Sequence, residues 1–218
     1  MCENLQHKFP TKGPDVDTQQ TDAPADTPPD GATMTAVVQE RYGEPTEVLR
    51  VAEIPRPTPE PGEVVLEVRA TGVDQGVWHL VAGLPYAVRL AGFGVRAPKN
   101  PVPGMDVAGV VVAVGDGVDA FRPGDEVFGI GIGTYAGYAR ARADKLVHKP
   151  VDLAFEHAAG LAISGLTALQ AVRDQAKVQP GERVLVLGAS GGVGSYAVQV
   201  AKAFGAEVTG VASTAKLD

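Results

Sequence analysis

The stretch GASGGVGSYAVQVAKAFGAEV, Gly188 to Val208, decides how this chain is read. Ala189, Gly191, Gly192 and Gly194 crowd its first turn with small residues, which lets the backbone bend tightly and bring its N–H groups close to an anionic ligand. The residues before the turn, RVLVLG, make a continuous apolar strand of the kind buried on both faces of a parallel sheet. From Val193 to Phe204 the apolar spacing is helical, and Glu207 to Val211 reads as strand again. Strand, glycine-rich turn, helix and strand in this order make one βαβ unit, with a pyrophosphate site at the helix N-terminus. Ala189, Ser190, Gly191, Gly192, Val193 and Gly194 are therefore the expected cofactor-binding turn.

Upstream of that unit, Ala158, Leu161, Ala162, Gly165, Leu169 and Val172 recur at helical spacing, and Pro180–Glu182 closes the connection into RVLVLG. A helix is thus expected to cross from one domain into the next. From Met34 to about Lys149 the sequence is instead rich in β-branched runs, GEVVLEVRATGV (Gly62–Val73) and VAGVVVAVG (Val107–Gly115) the clearest, each bounded by Gly or Pro. Short strands with frequent turns point to a barrel or sandwich. The prolines of PRPTPEPGE (Pro55–Glu63) lack ladder N–H groups and make this stretch an extended connector.

Residues 1–33 differ from everything that follows. PDVDTQQTDAPADTPPDGAT (Pro14–Thr33) contains no aromatic residue and little to bury, so this tail is expected to be disordered, with Met34 an alternative start to Met1. It holds six acids against two lysines and so carries most of the formal net charge of −7. No basic cluster or basic helix face stands out, which argues against nucleic acid as a partner. Cys2 is the single cysteine, excluding an intrachain disulfide or a thiolate metal cage and fitting a reducing, cytoplasmic setting. MCENLQHKFP lacks the pattern of a secretory signal, and the longest apolar stretch, Ala158–Leu169, is too short to span a bilayer.

The segments RYGEPTEVLRVAEIPRPTPEPGEVVLEVRATGV, PGMDVAGVVVAVGDGVDAFRPGDEVFG, GLTALQAV and VLVLGASGGVGSYAVQVAKAFGAEVTGV together resemble the medium-chain dehydrogenase/reductase superfamily over residues 34–218, in particular its zinc-free quinone oxidoreductase branch. The resemblance implies an α/β architecture: a GroES-like β-barrel catalytic domain (34–153) followed by an incomplete Rossmann parallel sheet (154–218). It also implies hydride transfer from a nicotinamide in the cleft between the two. Because a dinucleotide site normally needs two βαβ halves, the chain is expected to be the front part of a larger enzyme with little activity by itself.

Zinc-bearing relatives place a ligand cysteine where this chain has Asp74, and Gly-His-Glu where it has Gly104, Met105 and Asp106. A thioether in the histidine position offers zinc almost nothing, and Asp74, His79 and Asp106 lack the usual ligand spacing, so no metal is expected. Without a Lewis acid the easier substrate is a conjugated one, a quinone or α,β-unsaturated carbonyl that takes hydride at carbon and spreads charge onto oxygen. By family position Asp74 is expected beside the nicotinamide ribose. His79 and Tyr86, in WHLVAGLPY, line the pocket or donate a proton, against the plain alternative of packing residues next to Trp78. Thr167 matches a family threonine that touches the cofactor, against the alternative of a helical threonine bonding its own backbone.

After the second strand, VTGVASTAKLD has no acidic residue to grip a ribose diol. Ser213 and Lys216 can instead hold a 2′-phosphate, so the expected cofactor is NADPH. Two other functions stay open on these residues: an NAD(P)-dependent alcohol or aldehyde oxidoreductase, which would turn over simple alcohols, and a non-catalytic nucleotide-binding fragment, which would bind without turnover. The expected partners are a small quinone, enone or aldehyde and, compatibly, further copies of the chain, with no membrane.

Overall fold

The structure, a computed structural model, describes residues 31–216. Most of the expected tail therefore lies outside the described residues, and strand β1 (Thr33–Val38) begins one residue before the boundary expected at Met34. β1 pairs antiparallel with β2 (Arg50–Pro55) across a single short turn of helix, α1 (Pro45–Val48). The proline-rich connector occupies residues 56–62 as expected, and leads into β3 (Glu63–Ala70).

β3 is the second strand of a five-stranded antiparallel sheet that also holds β4 (Asp106–Val114), β5 (Glu126–Ile130), β6 (Tyr138–Arg142) and β7 (Leu146–His148), in the order β6-β3-β4-β5-β7. Register shifts between Val65 and Leu66 and between Val68 and Ala70 bend β3 against β4, the local kink that curves a sheet toward a barrel. Val64, Leu66, Val107, Val111, Val127 and Ala141 fill the concave side and are essentially inaccessible to water. The β-branched runs that marked these strands in the sequence are thus the ones that supply the core.

A second helix, longer than α1, also lies among the strands. α2 (Gln75–Ala82) starts at Asp74, whose Oδ1 accepts the Val77 amide at 2.8 Å, and ends at Gly83 in the left-handed region. Val77 and Val81 pack it onto Val48, with Met105 and Tyr135 alongside.

The chain leaves the barrel through Lys149, whose buried ammonium donates to the carbonyls of Pro150 and Leu153 and pairs with Glu126 at 2.9 Å. A helical run follows from α3 (Phe155–Ala159) to Gln175, in which wide π-helical turns at Leu161–Gly165 and Gln170–Gln175 flank α4 (Leu166–Leu169). This is the expected crossing helix, broken into pieces.

β8 (Arg183–Leu187), α5 (Gly192–Ala203) and β9 (Glu207–Val211) complete the described chain as a parallel βαβ unit, Arg183 facing Glu207 and Leu187 facing Val211. Ala201, Val172 and Val178 close its core together with Val184, Ala197 and Val208. The expectation that β8 is buried on both faces needs correction among the described residues. α5 covers one face only, so Leu185 and Leu187 are 62% and 73% exposed while Val184 and Val186 are half-buried. No helix of the described residues is long and apolar enough to cross a membrane.

Candidate active site

The glycine turn lies at the carboxyl edge of the β8–β9 pair, where open α/β sheets bind ligands. The Gly191 amide donates to the Gly188 carbonyl at 2.9 Å, and the Ala189 amide donates to the Val211 carbonyl at 3.0 Å, tying the turn to the end of β9. At Gly194 a Cβ would sit 2.1 Å from the Gly188 carbonyl oxygen, so only glycine allows α5 to rise this close to β8. The N-cap residue Gly191 offers no side chain, and the first amides of α5, Gly192 and Val193 among them, have no acceptor within the helix. Three turns of aligned dipoles add a partial positive charge there. This end of α5 therefore fits a pyrophosphate, and Ala189, Ser190, Gly191, Gly192, Val193 and Gly194 are brought together as one concave edge. Ser213 and Lys216 follow β9 on the same edge, both exposed, with the Lys216 amide donating to the Ser213 carbonyl.

Thr167 is exposed on α4 and donates its hydroxyl to the Ile163 carbonyl at 2.7 Å, as a helical threonine does. The residue that touches the glycine turn is its neighbour Ser164, which is buried, with Oγ 3.1 Å from where a Cβ on Gly192 would be. Sequence reasoning passed over Ser164. The available signal was its place among small residues one helical turn before Ala168 in SGLTALQ.

The preceding residue, Ile163, links the crossing run to the barrel. Its amide donates to Oδ1 of Asp106 at 2.9 Å, and Asp106, the first residue of β4, is only 2% exposed. This burial arises because β4 carries Asp106 directly under the crossing run. Asp74 lies beside it, and Tyr135 donates to the Gly72 carbonyl at 3.2 Å between them. Thr71 donates to the Asp106 backbone carbonyl at 2.7 Å; with its proton used there, it accepts from the fully buried Thr134 hydroxyl at 2.8 Å. Burial pushes the Asp106 carboxyl up to about 6, the Ile163 amide opposing and the Asp74 charge adding to the rise. Burial, then the charges of Asp74 and Asp106, push the Tyr135 phenol up to about 12, so it remains a donor at neutral pH.

His79 and Tyr86 do not join this cluster. His79 Nδ1 is 2.8 Å from the Leu84 carbonyl, which can only accept, and its ring meets Trp78 edge-on at 5.1 Å. In its neutral form His79 therefore presents Nε2 as an acceptor. Tyr86 is 69% exposed, with the Arg89 guanidinium 4.9 Å over its ring. Met105 is half-buried and packs against the apolar cluster of Val48, Val77 and Val81. On the other side of this segment a cleft of about 670 Å³ runs past Leu80, Phe93, Met105 and Ile132, with the buried Gln39 on its wall.

The alcohol dehydrogenase GroES-like domain family matches residues 60–151, from the proline-rich connector to the barrel exit. Human quinone oxidoreductase is 42% identical over 186 residues, covering 83% of this chain and 53% of that protein. The chain belongs to the medium-chain dehydrogenase/reductase superfamily, in its quinone oxidoreductase-like branch. Among solved structures of this superfamily, Escherichia coli quinone oxidoreductase complexed with NADPH superposes with a TM-score of 0.73 at 32% identity, covering 84% of this chain and 53% of that one. The CurK enoyl reductase superposes with a TM-score of 0.77 at 33% identity, covering 85% and 56%. The chain thus spans about half the length of the relatives it matches.

Proposed function

We propose that this chain supplies the barrel domain (34–153) and the pyrophosphate-binding part (154–218) of an NADPH-dependent oxidoreductase that reduces a quinone or an α,β-unsaturated carbonyl without zinc. The observation that carries this reading is the glycine turn itself: free amides at the start of α5, a Gly194 that no larger residue can replace, and Ser164 joining the turn to the barrel. Similarity to quinone oxidoreductases and to an enoyl reductase supports the acceptor class, and the single cysteine supports a reducing, cytoplasmic compartment.

In this reading the α5 amides and helix dipole hold the pyrophosphate, and Ser213 and Lys216 bind the 2′-phosphate. The nicotinamide, when bound, supplies hydride. The chain's own residues orient and exclude: Asp74 caps α2, with Tyr135 and Thr71 fixing the backbone next to it through the Gly72 and Asp106 carbonyls. His79 delivers a proton only as imidazolium, since its Nδ1–H is committed to Leu84. Met105 beside the cleft supports metal-independence, because a thioether is a poor ligand for zinc where a histidine would serve.

Following NADPH oxidation with a para-quinone, a linear enone and simple aldehydes in parallel tests the proposal. Slow turnover, confined to the conjugated acceptors and surviving chelation, is expected of this chain. NADPH oxidation with the simple aldehydes alone, lost on chelation, would overturn it.

A further inference from the structure

We infer that Asp74 and Asp106 act as one carboxyl pair that holds a single proton between them, with Asp106 the positioning residue that fixes the Asp74 carboxyl at the start of α2. The inference rests on the proposed function only in placing Asp74 at the site.

Each oxygen of the pair is accounted for except one contact. Asp74 Oδ1 accepts the Val77 amide at 2.8 Å, and Asp106 Oδ1 accepts the Ile163 amide at 2.9 Å. Asp74 Oδ2 is buried and has no hydrogen-bond partner among the described residues. Asp106 Oδ2 is packed so tightly against the 71–74 segment that a Cβ on Gly72 would lie 2.8 Å away. A buried carboxylate beside a half-buried one whose Oδ2 is shut off from water is strongly disfavoured from staying ionised with it when no cation is near. None of the ion pairs among the described residues involves either group. The groups facing the pair are Tyr135 from the loop before β6, which is a neutral donor turned to Gly72, and from the crossing run the Ile163 amide and the Ala159 carbonyl.

A proton on Asp106 supplies the missing donor to Asp74 Oδ2 and removes the repulsion in one step. The raised titration of Asp106, with Asp74 contributing both charge and hydrogen bonding, agrees with that geometry. The pair then works as a latch. It joins the start of α2 to β4, and through Ile163 it joins β4 to Ser164, which lies under Gly192 of the cofactor turn. Loss of the shared proton sets the two charges against each other at the point where barrel and βαβ unit meet.

The test is a carboxyl-carbon NMR titration of the full chain, without cofactor, for the parent protein, Asp74→Asn and Asp106→Asn. In the parent, Asp106 is expected to titrate near 6 and the Asp74 resonance to respond at the same step. In Asp74→Asn the Asp106 midpoint should fall by about one pH unit, because the neighbouring charge is gone and the new amide donates to the carboxylate. In Asp106→Asn the step near 6 should vanish while the Ile163 amide keeps its acceptor. An Asp106 midpoint unchanged by Asp74→Asn, or no response of Asp74 at that step, would overturn the pair. Asp74→Asn decides the matter even if Asp106→Asn does not fold. Because no cofactor or substrate is present, failure here is distinct from failure of the oxidoreductase reading.

Discussion

Asp106 and Ile163 lie 57 positions apart in the chain, yet the Ile163 amide donates to the Asp106 carboxylate at 2.9 Å, and this bond fastens the barrel to the helical run that leads to the glycine turn. The carboxyl responsible is almost wholly buried at the first residue of a central strand. Its chemistry therefore reaches stability as well as the site.

The first prediction concerns pH. Asp106 is raised from the ordinary carboxylate value of 3.8 to about 6 in the fold, so the folded chain binds the proton more tightly than the unfolded chain. Stability from this group is full below the unfolded value, falls as pH rises from about 4 to about 6, and stays reduced above that. With solvent screening allowed for, the loss should be at most about 2 kcal/mol. Asp106→Asn should flatten this part of the curve; Asp106→Ala should instead cost about 1–3 kcal/mol at all pH values by stranding the Ile163 amide. Urea unfolding across pH 4–8 reads both.

In the proposed function cofactor choice rests on Ser213 and Lys216, which stand exposed after β9 where an acidic residue would serve NADH. Lys216→Ala should weaken NADPH about tenfold, roughly 1.4 kcal/mol, and leave NADH unchanged. Fluorescence titration with the two nucleotides separates this from general damage, which would weaken both.

Metal content gives a third check. With a thioether at Met105 in place of an imidazole and His79 committed to Leu84, elemental analysis should find no stoichiometric zinc. Chelators should leave nucleotide binding unchanged.

The open face of β8 gives a fourth. Leu185 and Leu187 are largely exposed and adjacent on one face, an apolar patch that favours association of this chain with itself or another surface. The double change Leu185→Thr and Leu187→Thr should lower the self-association seen by sedimentation velocity by severalfold without lowering helix content.

Much of the βαβ unit was legible in the residues. The turn glycines and Pro180–Glu182 punctuate it locally, and the observed helix, Gly192–Ala203, differs by one residue at each end from the periodicity of Val193–Phe204. The strand runs of the barrel were legible for the same reason. α2 was not, although Asp74 as N-cap and Gly83 as its C-terminal stop were both there to be read, because the flanking β-rich sequence outweighed an eight-residue helix. The partners of Asp106 were out of reach, since contacts with Asp74, Thr71 and Ile163 arise from strand pairing and chain crossing rather than from spacing. Likewise Ser164 rather than Thr167 meets the turn, a matter of helix phase that the π-helical turns shift.

The most direct measurement is NADPH binding to the parent chain and to Gly194→Ala by isothermal titration calorimetry. A methyl group there would meet the Gly188 carbonyl oxygen at 2.1 Å and push α5 away from the turn. Saturable NADPH binding to the parent, tighter than NADH and weakened by at least about tenfold in the variant, is the predicted result. No binding by the folded parent chain, or equal binding by parent and variant, would contradict the assignment of this turn as the cofactor site.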